Sequence, residues 1–557
     1  MTAFIVANLA PIMFGSLIAI MILGYPIAFS LAALGLAYAM LGIWLGLFTP
    51  GFMQALPERL FSVLANETLL AIPFFAFMGL VLERSRMAED LLDTMGQLFG
   101  ALRGGLAYAV IVVGAILAAA TGVIAAAVIA MGLISLPIML RYRYDPRLAT
   151  GVIAASGTLA QIMPPSLVLI VLADQLQRSV GDMYAGALLP ALALAGLYAV
   201  YVALISFIRP QMAPALPPEA RSGETGMISL IVTLAIAMAA ALIATWALAP
   251  HVARAPLVYG GAIGALTALA IALASRRLIP GLIAPLAERV VLALVPPLAL
   301  ILLVLGAIFV GIATPTEGGA LGALGALILA FTRRRLDLTL LRGACEGTLQ
   351  LCSFVIFILI GARVFALTFY GVDGHIWVKD WLLALPGGET GFLVFVGLLV
   401  FALGFFLDFF EIVFILVPLL IVPAEALGID LIFFGVLLAL AFQTSFLTPP
   451  FGFALFYLRS VVPATDGPDP QTGEWRRGVD TLAIYRGAFP FVLIQLAMIA
   501  IVLAFPQMVT HYQRTGPGIT AGEVERRLDD LRLPGLEDEN GFGLTPPGFD
   551  VPGIRRD

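Results

Sequence analysis

Apolar runs long enough to cross a lipid bilayer recur along nearly the whole chain, and this restricts the fold more than any other feature. A crossing needs roughly 20 residues of predominantly apolar helix. Such runs fall at about 4–23, 27–48, 68–84, 147–176, 184–208, 227–248, 257–275, 289–311, 314–332, 347–370, 431–458 and 482–506. Two more, about 105–140 and 391–427, are too long for one helix and are broken near the middle. Mean hydropathy is +1.05 and only 12% of residues are charged, about half the share in soluble domains. This excludes an ordinary soluble enzyme and extended disorder. The segment Met1 to Leu23 has no basic start and no small-residue cleavage site, so it reads as a retained helix.

Charge placement orients the spans. If both broken stretches are re-entrant hairpins, nineteen of the 30 Lys and Arg fall in loops on one side. Five (Arg59, Arg178, Arg254, Arg363 and Lys379) fall on the other, and six lie in the C-terminal tail. Turning either hairpin into a full crossing would cancel this bias, whereas cytoplasmic loops are expected to hold the excess. The reading is an all-α polytopic membrane protein with about 12 transmembrane helices and two re-entrant hairpins. It is multi-pass, with both termini on the non-cytoplasmic side.

Two segments share one layout. The first runs from Asp145 through Ser156-Gly157-Thr158 and Gln161 to Pro164-Pro165-Ser166. The second runs from Asp430 through Gln443-Thr444-Ser445 and Thr448 to Pro449-Pro450. In both, 19 residues separate the Asp from the first Pro. A hairpin precedes each, with its polar tip at Thr121 or Asp408. The charge-derived topology makes the two units enter from opposite sides, and inverted repeats with interrupted helices point to a secondary transporter's binding site.

A proline removes the donor for the carbonyl four residues earlier. The pairs therefore free the carbonyls of Ala160 and Gln161 in the first unit, and of Ser445 and Phe446 in the second. Unpaired carbonyls at membrane depth persist only inside protein or beside a hydrated cavity. With the hydroxyls of Thr158, Thr444, Ser445 and Thr448, they form an all-oxygen set suited to a hard monovalent cation such as Na⁺. The plainer reading is that each proline pair only kinks its helix. At the second tip, Asp408 and Glu411 read either as functional intramembrane acids or as a cap on the following arm. Thr314 and Glu317 read either as a capping box or as part of a stretch with a direct role in transport, and Thr520 and Glu523 in the tail read as a capping box. No arginine is expected at the tips. A carboxylate would therefore meet backbone N–H groups and hydroxyls around Ala120, Thr121, Ser166, Asp408, Glu411 and Pro449.

The stretches Glu67 to Gly79, Ser156 to Ser166, Gly311 to Glu317 and Leu447 to Gly452 resemble the signature blocks of one family. It is the large membrane subunit of tripartite ATP-independent periplasmic (TRAP) transporters, and the blocks span residues 66–458. The resemblance implies a Na⁺-coupled elevator importer of organic acids in the ion-transporter superfamily. Its partners would be a small four-helix membrane subunit on a separate chain, a periplasmic substrate-binding protein and membrane lipids, with no nucleic acid. Sodium sites carry over as Thr121 and Gly122 with Gly157, Thr158 and Pro164, and as Asp408 with Thr444, Ser445 and Thr448.

The expected organisation is scaffold 1–104, first transport repeat 105–176, scaffold 177–390 with a two-span insertion at 210–288, and second transport repeat 391–458. A last scaffold helix (459–506) and a polar tail (507–557) follow. Amphipathic stretches Ala88–Gly100 and Trp377–Leu385 read as interfacial arms. A stand-alone Na⁺/carboxylate symporter is the rival transporter reading. A membrane-embedded enzyme is disfavoured, because the three histidines lie in loops or the tail and no intramembrane acid–base cluster exists.

Overall fold

The computed structural model describes residues 2–221, 226–249, 256–463, 466–468, 475–476 and 478–512. The Thr520/Glu523 capping box and the polar tail beyond residue 512 lie outside the described residues. Helices dominate. The described residues add one short antiparallel pairing of Gly467–Pro468 with Trp475–Arg476.

Eight of the twelve expected spans are single helices long and apolar enough to cross a bilayer: Ile27–Trp44, Val180–Ile208, Met227–Leu248, 258–277, Pro285–Val310, Pro315–Thr332, Leu338–Gly371 and Thr481–Ala504. The other four are shorter or broken. The first divides at Asn8 into Thr2–Ala7 and Leu9–Ile22, and the third is the 14-residue helix Ala71–Arg84. The remaining two contain the Pro-Pro pairs. One runs Pro146–Thr158, tightens to a 3₁₀ turn at Leu159–Gln161, and restarts as Leu167–Gln175; the other runs Leu431–Leu447 and restarts as Phe453–Val461. Asp145 and Asp430 cap their N-termini through Arg147 N–H and Phe433 N–H. Both Pro-Pro bonds are cis.

The long apolar stretches are helical pairs. Gly105–Thr121 and Ile124–Arg141 form the first hairpin, and Gly388–Leu403 and Phe409–Ala426 form the second. Gly122, at φ +60°, turns the first tip, a conformation that costs an L side chain roughly 1–2 kcal/mol. The amphipathic stretches form the helices Met87–Phe99 and Gly374–Leu383, and the latter meets the second hairpin's first arm at 117°.

Packing between the repeats is reciprocal. The second arm of hairpin 1 lies on Phe453–Val461, and that of hairpin 2 lies on Leu167–Gln175. Pro146–Thr158 packs on Thr481–Ala504, and Leu431–Leu447 packs on Val180–Ile208 and, more extensively, on Thr481–Ala504. Helices Ala71–Arg84 and Pro315–Thr332 pair as Leu338–Gly371 and Ile27–Trp44 do. Exchange of equivalent partners is what two repeats related by a two-fold axis produce. Small residues permit the closest approaches: a Cβ on Gly151 would collide with the Gly487 carbonyl oxygen, and one on Gly361 with that of Ala28.

The two insertion helices, Met227–Leu248 and Pro256–Arg277, pack on each other and on Pro285–Val310. They sit between the repeats in sequence and interrupt neither. At the arginine-rich end, Asp90 of the arm pairs with Arg335 at 3.0 Å and Arg333 at 3.6 Å, and Arg335 also donates to the Ser85 carbonyl.

Candidate functional site

Each hairpin tip meets a broken helix. Gly122 lies so close to the restart of the first broken helix that a Cβ there would stand 2.8 Å from Leu167 N. Hairpin 1 also embraces the first half of that helix: Gly114 faces Ser156, and Gly157 faces Val128. At the second tip, the Ser445 hydroxyl donates to the Phe401 carbonyl at 2.8 Å, and Gly404 lies against the same serine. Beyond the proline pair, Phe451 lies against the rings of Phe405 and Phe406. Thus the arm that ends in Ala120 and Thr121 packs on the helix carrying Gly157 and Thr158 and on the turn carrying Ala160 and Gln161, and Gly122 meets Leu167, three residues after Pro164 and next to Ser166. The arm that opens with Asp408 and Glu411 packs on the helix carrying Thr444 and Ser445, with Phe409 against Phe442, and Thr448 and Pro449 follow at that helix's end.

The carbonyls are less free than counting prolines suggests. The Ser166 hydroxyl donates to the carbonyls of Ala160 at 2.7 Å and Gln161 at 3.3 Å, while its oxygen caps Val168 N–H. In the second unit, Thr448 N–H takes the Ser445 carbonyl at 3.0 Å. A serine between a Pro-Pro pair and an apolar run is an N-cap signal, which could have revealed the cap on Val168 but not the reach back to Ala160.

The hydroxyls of Thr121, Thr444 and Thr448 each donate to a carbonyl of their own helix: Leu117, Leu440 and Thr444. Their protons are spent and their oxygen lone pairs remain. Gln161 is fully buried, and neither of its amide atoms has a partner among the described residues. A buried set of oxygen donors without sulfur or imidazole fits a hard cation. The described residues contain no group of three or more His, Cys, Asp or Glu able to hold a metal.

Thr158 differs. Its hydroxyl donates to the Ala155 carbonyl and accepts the side-chain amides of Gln443 at 3.4 Å and Gln495 at 3.3 Å. Both amides also reach the Tyr198 hydroxyl, at 3.4 Å and 2.7 Å. All four residues are fully buried. In this arrangement the Thr158 hydroxyl ties the repeats together. Sequence reasoning singled out neither Tyr198 nor Gln495. The only signal was a polar group inside each apolar span.

Asp408 and Glu411 form a reciprocal capping box at the start of the hairpin's second arm, with Asp408 N–H donating to Glu411 Oε2 at 2.9 Å. Thr314 and Glu317 form another. Both acids at the second tip therefore have a structural task that sequence had offered as an alternative. The two breaks also differ in enclosure. Thr158 to Ser166 is buried throughout, whereas Thr448 and Pro449 are half-buried and Pro450 is exposed.

The chain matches one protein family and several known proteins. The family described as "Tripartite ATP-independent periplasmic transporter, DctM component" matches residues 14–280 and 257–508. The chain is 26% identical to the C4-dicarboxylate TRAP transporter large permease protein DctM of Pseudomonas aeruginosa, over 83% of this chain and 89% of that one. It is 25% identical to the protein of the same name from Rhodobacter capsulatus, over 89% and 97%. It is 22% identical to the ectoine TRAP transporter large permease protein TeaC of Halomonas elongata, over 89% and 97%. Among solved structures, the Alcanivorax borkumensis YdaH transporter aligns at a TM-score of 0.45 and 14% identity, over 82% of this chain and 88% of that one.

Proposed function

This chain belongs to the DctM component family of tripartite ATP-independent periplasmic transporters, and from that premise we propose that it is the large permease of a Na⁺-coupled importer of organic acids. It is a multi-pass membrane protein and a secondary transporter subunit. In our reading it lies in the bacterial inner membrane with both termini periplasmic. It works with a small four-helix membrane subunit on a separate chain and a periplasmic substrate-binding protein that delivers the acid.

One observation carries the reading: each re-entrant tip is seated on the interruption of a broken helix, Gly122 on Leu167 and Gly404 on Ser445. A half-helix N-terminus and loosened backbone meeting at a tip suit an anion and a cation together. Thr121, Gly122, Gly157, the Thr158 carbonyl and Pro164 would hold Na⁺ in the first unit, and Asp408, Thr444, Ser445 and Thr448 in the second. Bound Na⁺ supplies positive charge that neutralises the acid and couples its entry to the membrane potential, about 2.3 kcal/mol per charge per 100 mV.

The protein's own residues do the rest. The Ser166 N-cap and the free N–H groups after the breaks orient a carboxylate, with Ala120, Thr121, Asp408, Glu411 and Pro449 around it. Residues 105–176 and 391–458 move as one carrier against a scaffold of 1–104, 177–390 and 459–506. The Thr158–Gln443 contact makes that carrier one piece. The relatives named for C4-dicarboxylates and ectoine support the broad class, an organic acid, rather than one compound.

Transport in proteoliposomes with the purified small subunit and receptor tests this. Accumulation of an organic acid under an inward sodium gradient, and not under a proton gradient alone, is expected. Accumulation that ignores sodium contradicts it, and sodium-driven uptake without the receptor would favour a stand-alone symporter.

A further inference from the structure

A cavity of about 270 Å³ lies away from both tips. Its walls are the helix Leu338–Gly371, the middle of hairpin 2's second arm around Phe414, and Gln175 at the end of the first broken helix. Most of the lining is apolar, but Arg59 and Arg363 both face it, together with Tyr370. Arg363 is half-buried and Arg59 is exposed. Neither guanidinium has a hydrogen bond or ion pair among the described residues. Both lie within electrostatic reach of the Tyr370 phenol.

An acid beside the cavity is already engaged: Asp174 accepts Asn66 Nδ2 at 2.7 Å and Gln175 Nε2 at 2.8 Å. Two unpaired guanidiniums therefore face an apolar chamber of small-molecule size, an arrangement that recognises carboxylates. The cavity of about 110 Å³ beside the first hairpin is opposite in character. No arginine lines it, and Glu83, whose Oε2 is buried without a partner among the described residues, faces it. Arg363 lies about 37 Å along its helix from Leu338, so the basic cavity is at the end remote from the arginine-rich loops.

We propose that Arg59 and Arg363 form a carboxylate-binding vestibule, separate from the hairpin-tip sites, that receives the organic acid before it reaches the tips. Its role in uptake rests on the function proposed above; its capacity to bind does not. The walls come from both the proposed carrier and the proposed scaffold, so carrier movement would open or collapse the chamber.

The test uses the full-length protein with its small subunit in phosphatidylcholine nanodiscs. Thermal stabilisation is titrated with acetate, pyruvate and succinate at matched ionic strength, with chloride as the reference. At least one acid is expected to stabilise the wild type beyond chloride. Its half-maximal concentration should rise about tenfold or more in Arg363→Gln and in the Arg59→Gln/Arg363→Gln pair, a change of about 1.4 kcal/mol, with Arg363→Lys between. Unchanged midpoints in the Gln variants, or no response to any acid in the wild type, would overturn the proposal. Abolition of the response by phosphatidylglycerol would also overturn it, by assigning the arginines to a lipid headgroup. If arginine-dependent binding holds while sodium drives no uptake, the transport reading fails and the vestibule stands.

Discussion

The side-chain amide of Gln443 stands 3.4 Å from the Thr158 hydroxyl, joining two broken helices 285 residues apart in sequence. Gln495 and Tyr198 close the network from the two long helices that follow the repeats. The contact lies where the two units meet and bonds them through polar side chains. Because the network is fully buried, removing one member strands the others, at about 1–3 kcal/mol for an unsatisfied group. Tyr198→Phe should therefore lower the denaturation midpoint in detergent by that equivalent. Tyr198→Phe combined with Gln495→Leu should cost less than the sum of the two changes, since they share partners. Strict additivity would show that the residues act separately.

Seating of the first tip depends on Gly122. Alanine there would be strained by φ +60° and would press a methyl against Leu167 N. Uptake by Gly122→Ala should fall by about tenfold or more, the effect of an ångström-scale misplacement at a site. Gly397→Ala, at a helical position with open space around it, should transport normally and gain about 1 kcal/mol from helix propensity. Equal activity in the two variants would contradict the role given to the tip.

Ser166 holds the first interruption by donating to the Ala160 carbonyl and capping Val168 N–H. Ser166→Ala should cost about 1–3 kcal/mol of stability, as loss of a buried cap does. Thermal denaturation of the purified protein checks this, and a midpoint equal to the wild type's would show that the carbonyl finds another donor.

Asp90 links the arm Met87–Phe99 to the arginine loop through two ion pairs about one-third exposed. Pairs of this exposure are worth about 0–1 kcal/mol and weaken with salt. Asp90→Asn should lower stability slightly at low ionic strength, and the difference should vanish at high salt. A large, salt-independent loss would mean that the arm's attachment depends on something else.

Much of the fold was legible because bilayer-spanning chains obey few rules. Apolar length gave the spans, Pro164-Pro165 and Pro449-Pro450 gave the interruptions, and arginine placement required two hairpins. The turn between residues 121 and 124 and the capping boxes at Thr314 and Asp408 followed from local chemistry. What stayed hidden depends on contacts between distant segments. Proline counting exposes the Ala160 carbonyl but cannot show that Ser166 folds back onto it. A glutamine in an apolar run announces that it needs a partner without saying which, so Gln495 and Tyr198 became visible only in the folded molecule. Arg59 and Arg363 were legible as charges on the sparse side, but not as neighbours across one cavity.

Binding of the coupling ion by the oxygens at the two interruptions is tested most directly by sodium titration of uptake. Thr121→Val and Thr448→Val remove one hydroxyl oxygen from each unit while keeping side-chain shape. In proteoliposomes with receptor and small subunit, the sodium concentration for half-maximal uptake should rise about tenfold in each variant, the cost of one ligand at about 1.4 kcal/mol. Sodium dependence indistinguishable from the wild type in both variants would contradict the account.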